Sequence, residues 1–124
     1  FSYHTIDKIK IPFVQVDTND ICVDDMSSVY YNRLIKKDTA TKNDWSSFEY
    51  MHRKDDFYEY GVWVQYNSTI YETGKGSCIF LHVWLNDATP TSGCTAMSKE
   101  NMLKLIYWLD ESKNPVLLQV VKDE

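Results

Sequence analysis

The sequence predicts a single, mainly β domain with a few short helices, α+β overall. Its 124 residues and 14.6 kDa match the size of one globular core. Nine tyrosines, five phenylalanines and four tryptophans raise the aromatic share to 15%, and aromatic side chains favour strands. Ile79 to Leu85 is apolar on both faces except at His82, as a strand buried within a sheet is. Only the stretch after Ser98 has a sustained helical period.

Taken in order, Lys10 to Val16 alternates loosely and reads as a strand entered through Pro12, best placed at an edge or strand start. Asp17 to Asp25 is polar and turn-rich. Ser27 to Ile35 mixes its apolar spacings and reads as a short helix or an irregular segment, and Lys36 to Asn43 as a polar connector. Trp45, Phe48 and Met51 fall three apart within Asp44 to Lys54, which predicts a short amphipathic helix capped by Asp44 or Ser46. Tyr60 to Tyr66 puts Val62, Val64 and Tyr66 on one strand face, and Asn67-Ser68 breaks the run. After Ile79 to Leu85, a turn-rich loop leads to Ser98, the predicted N-cap of a helix. Met102, Leu105, Ile106 and Leu109 make its apolar stripe, and it ends near Asp110 to Ser112. Asn114-Pro115 resets the backbone for a last strand, Val116 to Val121.

Composition narrows the function. The 13 basic and 18 acidic residues leave a net charge of −5, and the basic ones are scattered. Nucleic acid is therefore not an expected partner, since phosphate binding needs concentrated Lys and Arg. No apolar run approaches the ~20 residues of a membrane span. The chain opens on Phe1 with no charged-then-apolar leader, which reads as a processed chain or as the C-terminal part of a longer one.

Three cysteines allow one disulfide and a free thiol, three free thiols, or three metal ligands. The stretch carrying most chemistry runs from Gly76 to Ser98: a strand presenting His82, a loop, then Thr91-Ser92-Gly93-Cys94-Thr95 before a helix. A thiol needs a base or a cation beside it to become a nucleophile at neutral pH. His82 can be that base for Cys94, Gly93 lets the backbone turn beside the sulfur, and the amides of Cys94 and Thr95 can face an oxyanion. Cys78 lies four strand residues from His82, roughly 13 Å, too far to touch it. That distance also weakens a metal site built on Cys78, His82 and Cys94, so no cofactor is expected. By pattern alone, a packed histidine and an inert thiol remain the commoner explanation.

His82 followed by Thr91-Ser92-Gly93-Cys94-Thr95-Ala96-Met97 resembles the active-site signature of the L,D-transpeptidase catalytic domain, also called YkuD-like, and similarity runs from about Ile11 to Gln119. The resemblance implies a YkuD-like β-sandwich or barrel. In it Cys94 attacks a peptidoglycan stem peptide between a diamino acid and the terminal D-alanine, His82 moves the proton, and a backbone carbonyl near the glycine orients the imidazole. An amine of a second stem then takes the acyl group, or water does, as in an L,D-carboxypeptidase or peptidoglycan hydrolase. Two family positions differ: Ser92 replaces a histidine and Ala96 an arginine. This admits a third reading, a peptidoglycan-binding module without activity. Arg33, Arg53 and Lys75 are the cations available to replace the arginine. With Cys94 as nucleophile, Cys22 and Cys78 remain as a disulfide pair, in keeping with export to the periplasm or cell envelope. Ser92, Thr95, Tyr66 and Asn67 are the candidates for substrate contact. Asp24-Asp25 reads as a solvated turn or cap, and Trp63 and Trp84 as packing residues.

Overall fold

A computed structural model describes residues 1–121. The chain is mainly β. Six short strands, β1 (Asp20–Val23), β2 (Arg33–Lys36), β3 (Phe48–Tyr50), β4 (Gly61–Trp63), β5 (Phe80–Val83) and β6 (Thr95–Met97), precede helix α1 (Lys99–Trp108) and a 3₁₀ turn at Glu111–Lys113. The strands form two three-stranded sheets, ordered β2-β1-β3 and β4-β5-β6. All pairings are antiparallel except β5 with β6. No helix among the described residues is long and apolar enough to cross a membrane.

Strand alternation sorts the side chains into three layers, because successive residues point to opposite faces. In β1, Ile21 and Val23 pack with Trp45 on the outer side of the first sheet, whereas Cys22 faces inward. In β5, Phe80 faces the same inner layer as Cys22, Met51 and Tyr58, while Leu81 and Val83 meet Met102 and Ile106 of α1 on the far side. The order is thus apolar cluster, first sheet, shared core, second sheet, helix. Cys22 and Cys78 are bonded across the shared core, with Cα atoms 6.0 Å apart, so the bridge ties one sheet to the other.

The strongest patterns match their elements. Tyr60 to Tyr66 and Ile79 to Leu85 contain β4 and β5, and α1 begins after Ser98, whose Oγ accepts from the Asn101 amide at 3.3 Å. Four expectations need correction. Asp44 to Lys54 contains strand β3 rather than a helix: Val23 and Ile21 pair with Phe48 and Tyr50, and Trp45 and Met51 enter different clusters, where one helical face would have kept them together. The polar-looking Asp17 to Asp25 holds β1, the fully buried centre of the first sheet. Asp20 is accommodated there because Lys36 Nζ donates to its carboxylate at 2.8 Å. Lys10 to Val16 is irregular, with bridges only at Lys10 and Gln15; Ser27 to Ile35 keeps its irregular alternative, as turns leading into β2. Val116 to Val121 is not a strand. No sheet edge pairs with it among the described residues, and its valines and leucines are exposed.

Candidate active site

His82 stands in the middle of the second sheet, opposite Gly61 on one side and Ala96 on the other. Paired residues share a face, and so do residues two apart, so Cys94, two before Ala96, belongs to the His82 face. A strand spacing of ~4.8 Å and a two-residue advance put the two Cα atoms about 8 Å apart. Both side chains therefore belong to the layer between the sheets, the layer the disulfide crosses.

The imidazole is 5% exposed, and its Nδ1 lies 2.7 Å from the Val83 carbonyl. Only a protonated Nδ1 can donate there, which leaves Nε2 as the atom able to accept a proton. The orienting carbonyl thus belongs to the residue after the histidine and not to one beside the glycine. Phe57 stacks against the ring at 6.2 Å between centroids, and Tyr58 meets it edge-on at 5.2 Å.

Cys94 is partly buried and unbonded to another cysteine. Its Sγ accepts from the Phe80 amide at 3.3 Å and lies 3.7 Å from the Cys78 carbonyl, towards the start of β5. No hydrogen bond joins it to His82 among the described residues. Burial pushes the thiol pKa up, the Phe80 amide opposes this, and the negative charge of Glu49 adds to the rise. The sulfur is thus held by backbone groups at the start of β5, and any reaction beside His82 would take it away from both.

Gly93 has φ +154°, a conformation side chains rarely adopt, and a Cβ added there would meet nothing within 4 Å. Backbone shape, not crowding, calls for glycine at this position. The turn is braced by the Thr91 hydroxyl, which donates to the Cys94 carbonyl. Ser92 is exposed on the same turn. Thr95 opens β6 opposite Leu81, and its Oγ1 accepts from Gln119 Nε2. Tyr66 and Asn67 belong to another loop. Asn67 Nδ2 donates to the carbonyls of Glu72 and Gly76, both at 2.9 Å, and its Oδ1 accepts from the Glu72 amide, so the side chain closes its own loop. The exposed Tyr66 lies over Gly76.

Two residues around the site, Tyr58 and Glu49, escaped the sequence pattern, and a third, Arg53, was one of three candidate cations. Tyr58 is buried and donates to Glu49 Oε2 at 2.7 Å. Burial and the charges of Glu49 and Cys94 drive its pKa far above the phenol range. Glu49 comes from β3, opposite Cys22, and so enters the shared layer from the other sheet. Arg53 places its guanidinium 5.2 Å from the Tyr58 ring centre and 5.5 Å from that of Phe57. The aromatic pair Phe57-Tyr58 was the available signal for a wall. Nothing in sequence places Glu49 there, because its stretch reads as a helix. An open groove is lined by Asp55, Phe57, Val83, Trp84 and Lys99 and shares Phe57 with the wall around His82, while a second, near Tyr30 and Thr41, lies on the outer side of the first sheet.

Comparison with known proteins agrees with the residue pattern. No curated protein and no solved structure gives a match. The family model described as the L,D-transpeptidase catalytic domain, YkuD, matches residues 26–118, a span that contains strands β2 to β6, helix α1, His82 and Cys94. With a match over most of its length, the chain belongs to the YkuD family of L,D-transpeptidase catalytic domains.

Proposed function

We propose that the chain is a peptidoglycan L,D-transpeptidase that works through a cysteine acyl-enzyme on a YkuD-like sandwich. The observation that carries this reading is the Nδ1 contact to the Val83 carbonyl at 2.7 Å, on a ring sharing its sheet face with Cys94. It fixes the imidazole with Nε2 available as base, the tautomer that a thiol nucleophile requires. A stem tetrapeptide binds along the turn that carries Gly93 and Cys94, with its diamino acid carbonyl over the sulfur. Cys94 gives its proton to His82 Nε2 and attacks, and the amides of Cys94 and Thr95 hold the oxyanion. His82 then protonates the departing D-alanine amine as the carbon–nitrogen bond breaks. The amine of a second stem attacks the thioester, gives its proton to His82 and releases Cys94. Ser92 and Thr95, on the turn and strand around the sulfur, are the substrate contacts in this reading. Tyr66 and Asn67 shape the neighbouring loop, and the site faces the periplasm or cell envelope.

The test is product analysis after incubation with disaccharide tetrapeptides. Release of D-alanine with formation of cross-linked dimers is the expected result. Release of D-alanine with tripeptide alone would assign the chain as an L,D-carboxypeptidase, and no release would favour a binding module.

A further inference from the structure

We propose that Arg53 is the residue that recognises the substrate's terminal carboxylate and so restricts the site to stems ending in a free D-alanine. The inference rests on the transpeptidase reading, which places a carboxylate one residue beyond the bond that Cys94 attacks. A site for that group needs a fixed cation close to the base and the thiol, because a carboxylate leaving water gains most from a charge-assisted, two-pronged partner.

The structure offers three of the cations considered from sequence, and it separates them. Arg33 is exposed on β2, an edge of the first sheet, and Lys75 is exposed in the turn after Glu72. Among the described residues, neither side chain makes a hydrogen bond, ion pair or cation–π contact with His82, Phe57 or Tyr58. The guanidinium of Arg53, by contrast, lies over Phe57 and Tyr58, the two rings packed against the imidazole. Tyr58 belongs to the core cluster against which Cys94 packs, so the ring beneath the guanidinium lies in the layer that holds the thiol.

Arg53 is held in a way that suits recognition. Its Nε and Nη2 donate to Asp55 at 2.7–3.1 Å, and Asp55 borders an open groove that Phe57, the ring stacked on His82, also lines. The loop is anchored in turn by Tyr3: its hydroxyl accepts from the Arg53 amide at 3.1 Å and donates to the Asp55 carbonyl at 3.2 Å. A guanidinium has five N–H donors. Asp55 engages two nitrogens, and Nη1 makes no hydrogen bond among the described residues. Side-chain exposure of 38% leaves that end accessible. Asp55 aims the fork and the free edge can receive a second carboxylate.

The experiment measures binding of two peptides to the full chain carrying Cys94→Ala, so that no chemistry intervenes. One is a stem tetrapeptide ending in D-alanine with a free carboxylate, the other its carboxamide. The expected result is a preference of about tenfold or more for the free acid. Arg53→Gln should reduce that preference to near unity, Arg53→Lys should retain part of it, and Arg33→Gln should leave it intact. Equal affinity for the two peptides before any change at Arg53, or an undiminished preference in Arg53→Gln, would overturn the proposal. Because binding is read without turnover, a chain that prefers the acid yet never forms a Cys94 adduct would refute the transpeptidase reading alone. A chain that forms the adduct without the preference would refute the role of Arg53 alone.

Discussion

His82 and Cys94 occupy neighbouring backbone segments of one sheet and are held in opposite ways. The histidine is fixed for the role proposed for it: strand β5 buries it, the Val83 carbonyl sets its tautomer and two aromatic rings set its plane. The cysteine is restrained against its task. Its sulfur faces the Phe80 amide and Cys78 carbonyl, and burial with the nearby Glu49 charge keeps it protonated. In the proposed mechanism the base is thus preorganised by regular structure, whereas the nucleophile sits on a turn that must yield. Such a division gives a thiol that stays quiet without substrate and reacts once a peptide excludes water and draws the sulfur towards Nε2.

The largest effects should come from removing either partner. Cys94→Ala is expected to lower turnover by more than about 10³-fold, since no other described cysteine carries a free thiol. His82→Gln should cost about 10²–10⁴-fold, the usual contribution of a general base, with donor binding largely retained. Steady-state rates and donor affinity on both variants check the comparison, and a His82→Gln enzyme of full activity would break it.

Next comes the support common to both residues. The Cys22–Cys78 bridge closes a 56-residue separation and joins the two sheets around the site. Loop-closure entropy for a ring of this size corresponds to about 4 kcal/mol. The double variant Cys22→Ser/Cys78→Ser should lose about that much stability in urea unfolding, and its Cys94 should become more accessible to alkylation as the shared layer loosens.

The difference in readiness is sharpened by pH. With the thiol pKa raised by burial, alkylation of Cys94 in the free protein should be slow near neutrality and accelerate only above the ordinary thiol range. A folded pKa above the unfolded one means that the native state binds the extra proton in that interval. Its contribution to stability is therefore complete below the unfolded thiol pKa and is lost as pH rises through the folded value. Glu49→Gln removes the negative charge from the layer and should lower the thiol pKa, increasing alkylation at neutral pH about three- to tenfold. Rates measured with iodoacetamide across pH read this directly. The smallest effect is expected far from the layer: Ser98→Ala removes the α1 cap and should cost about 1 kcal/mol in thermal or urea unfolding.

The same contrast explains what the sequence disclosed. A strand apolar on both faces around a single histidine and a helix with a serine cap and a clear stripe carry their structure locally, and β5 and α1 formed where expected. Gly93-Cys94 was legible through its resemblance to a family signature, since a cysteine in a loop after a strand-borne histidine is by itself an ordinary pattern. β1 and β3 were not legible. Each is only three or four residues long, and β1 is flanked by aspartates whose charge is offset by Lys36 and by turn hydrogen bonds visible only in three dimensions. Glu49 and Tyr58 reach the site through the packing of one sheet on another, information that no local spacing contains. The apolar run Val116 to Val121 has strand propensity without a partner, and propensity alone does not make a strand.

The central claim is that Cys94 forms the acyl-enzyme and that His82 activates it. Intact-protein mass spectrometry after brief incubation with a stem tetrapeptide tests it most directly, comparing the native chain with Cys94→Ala and His82→Gln. The account predicts an added mass equal to the donor minus D-alanine on the native chain, located at Cys94, absent from Cys94→Ala and strongly delayed in His82→Gln. An adduct that persists in Cys94→Ala, or forms as fast in His82→Gln as in the native chain, would contradict it.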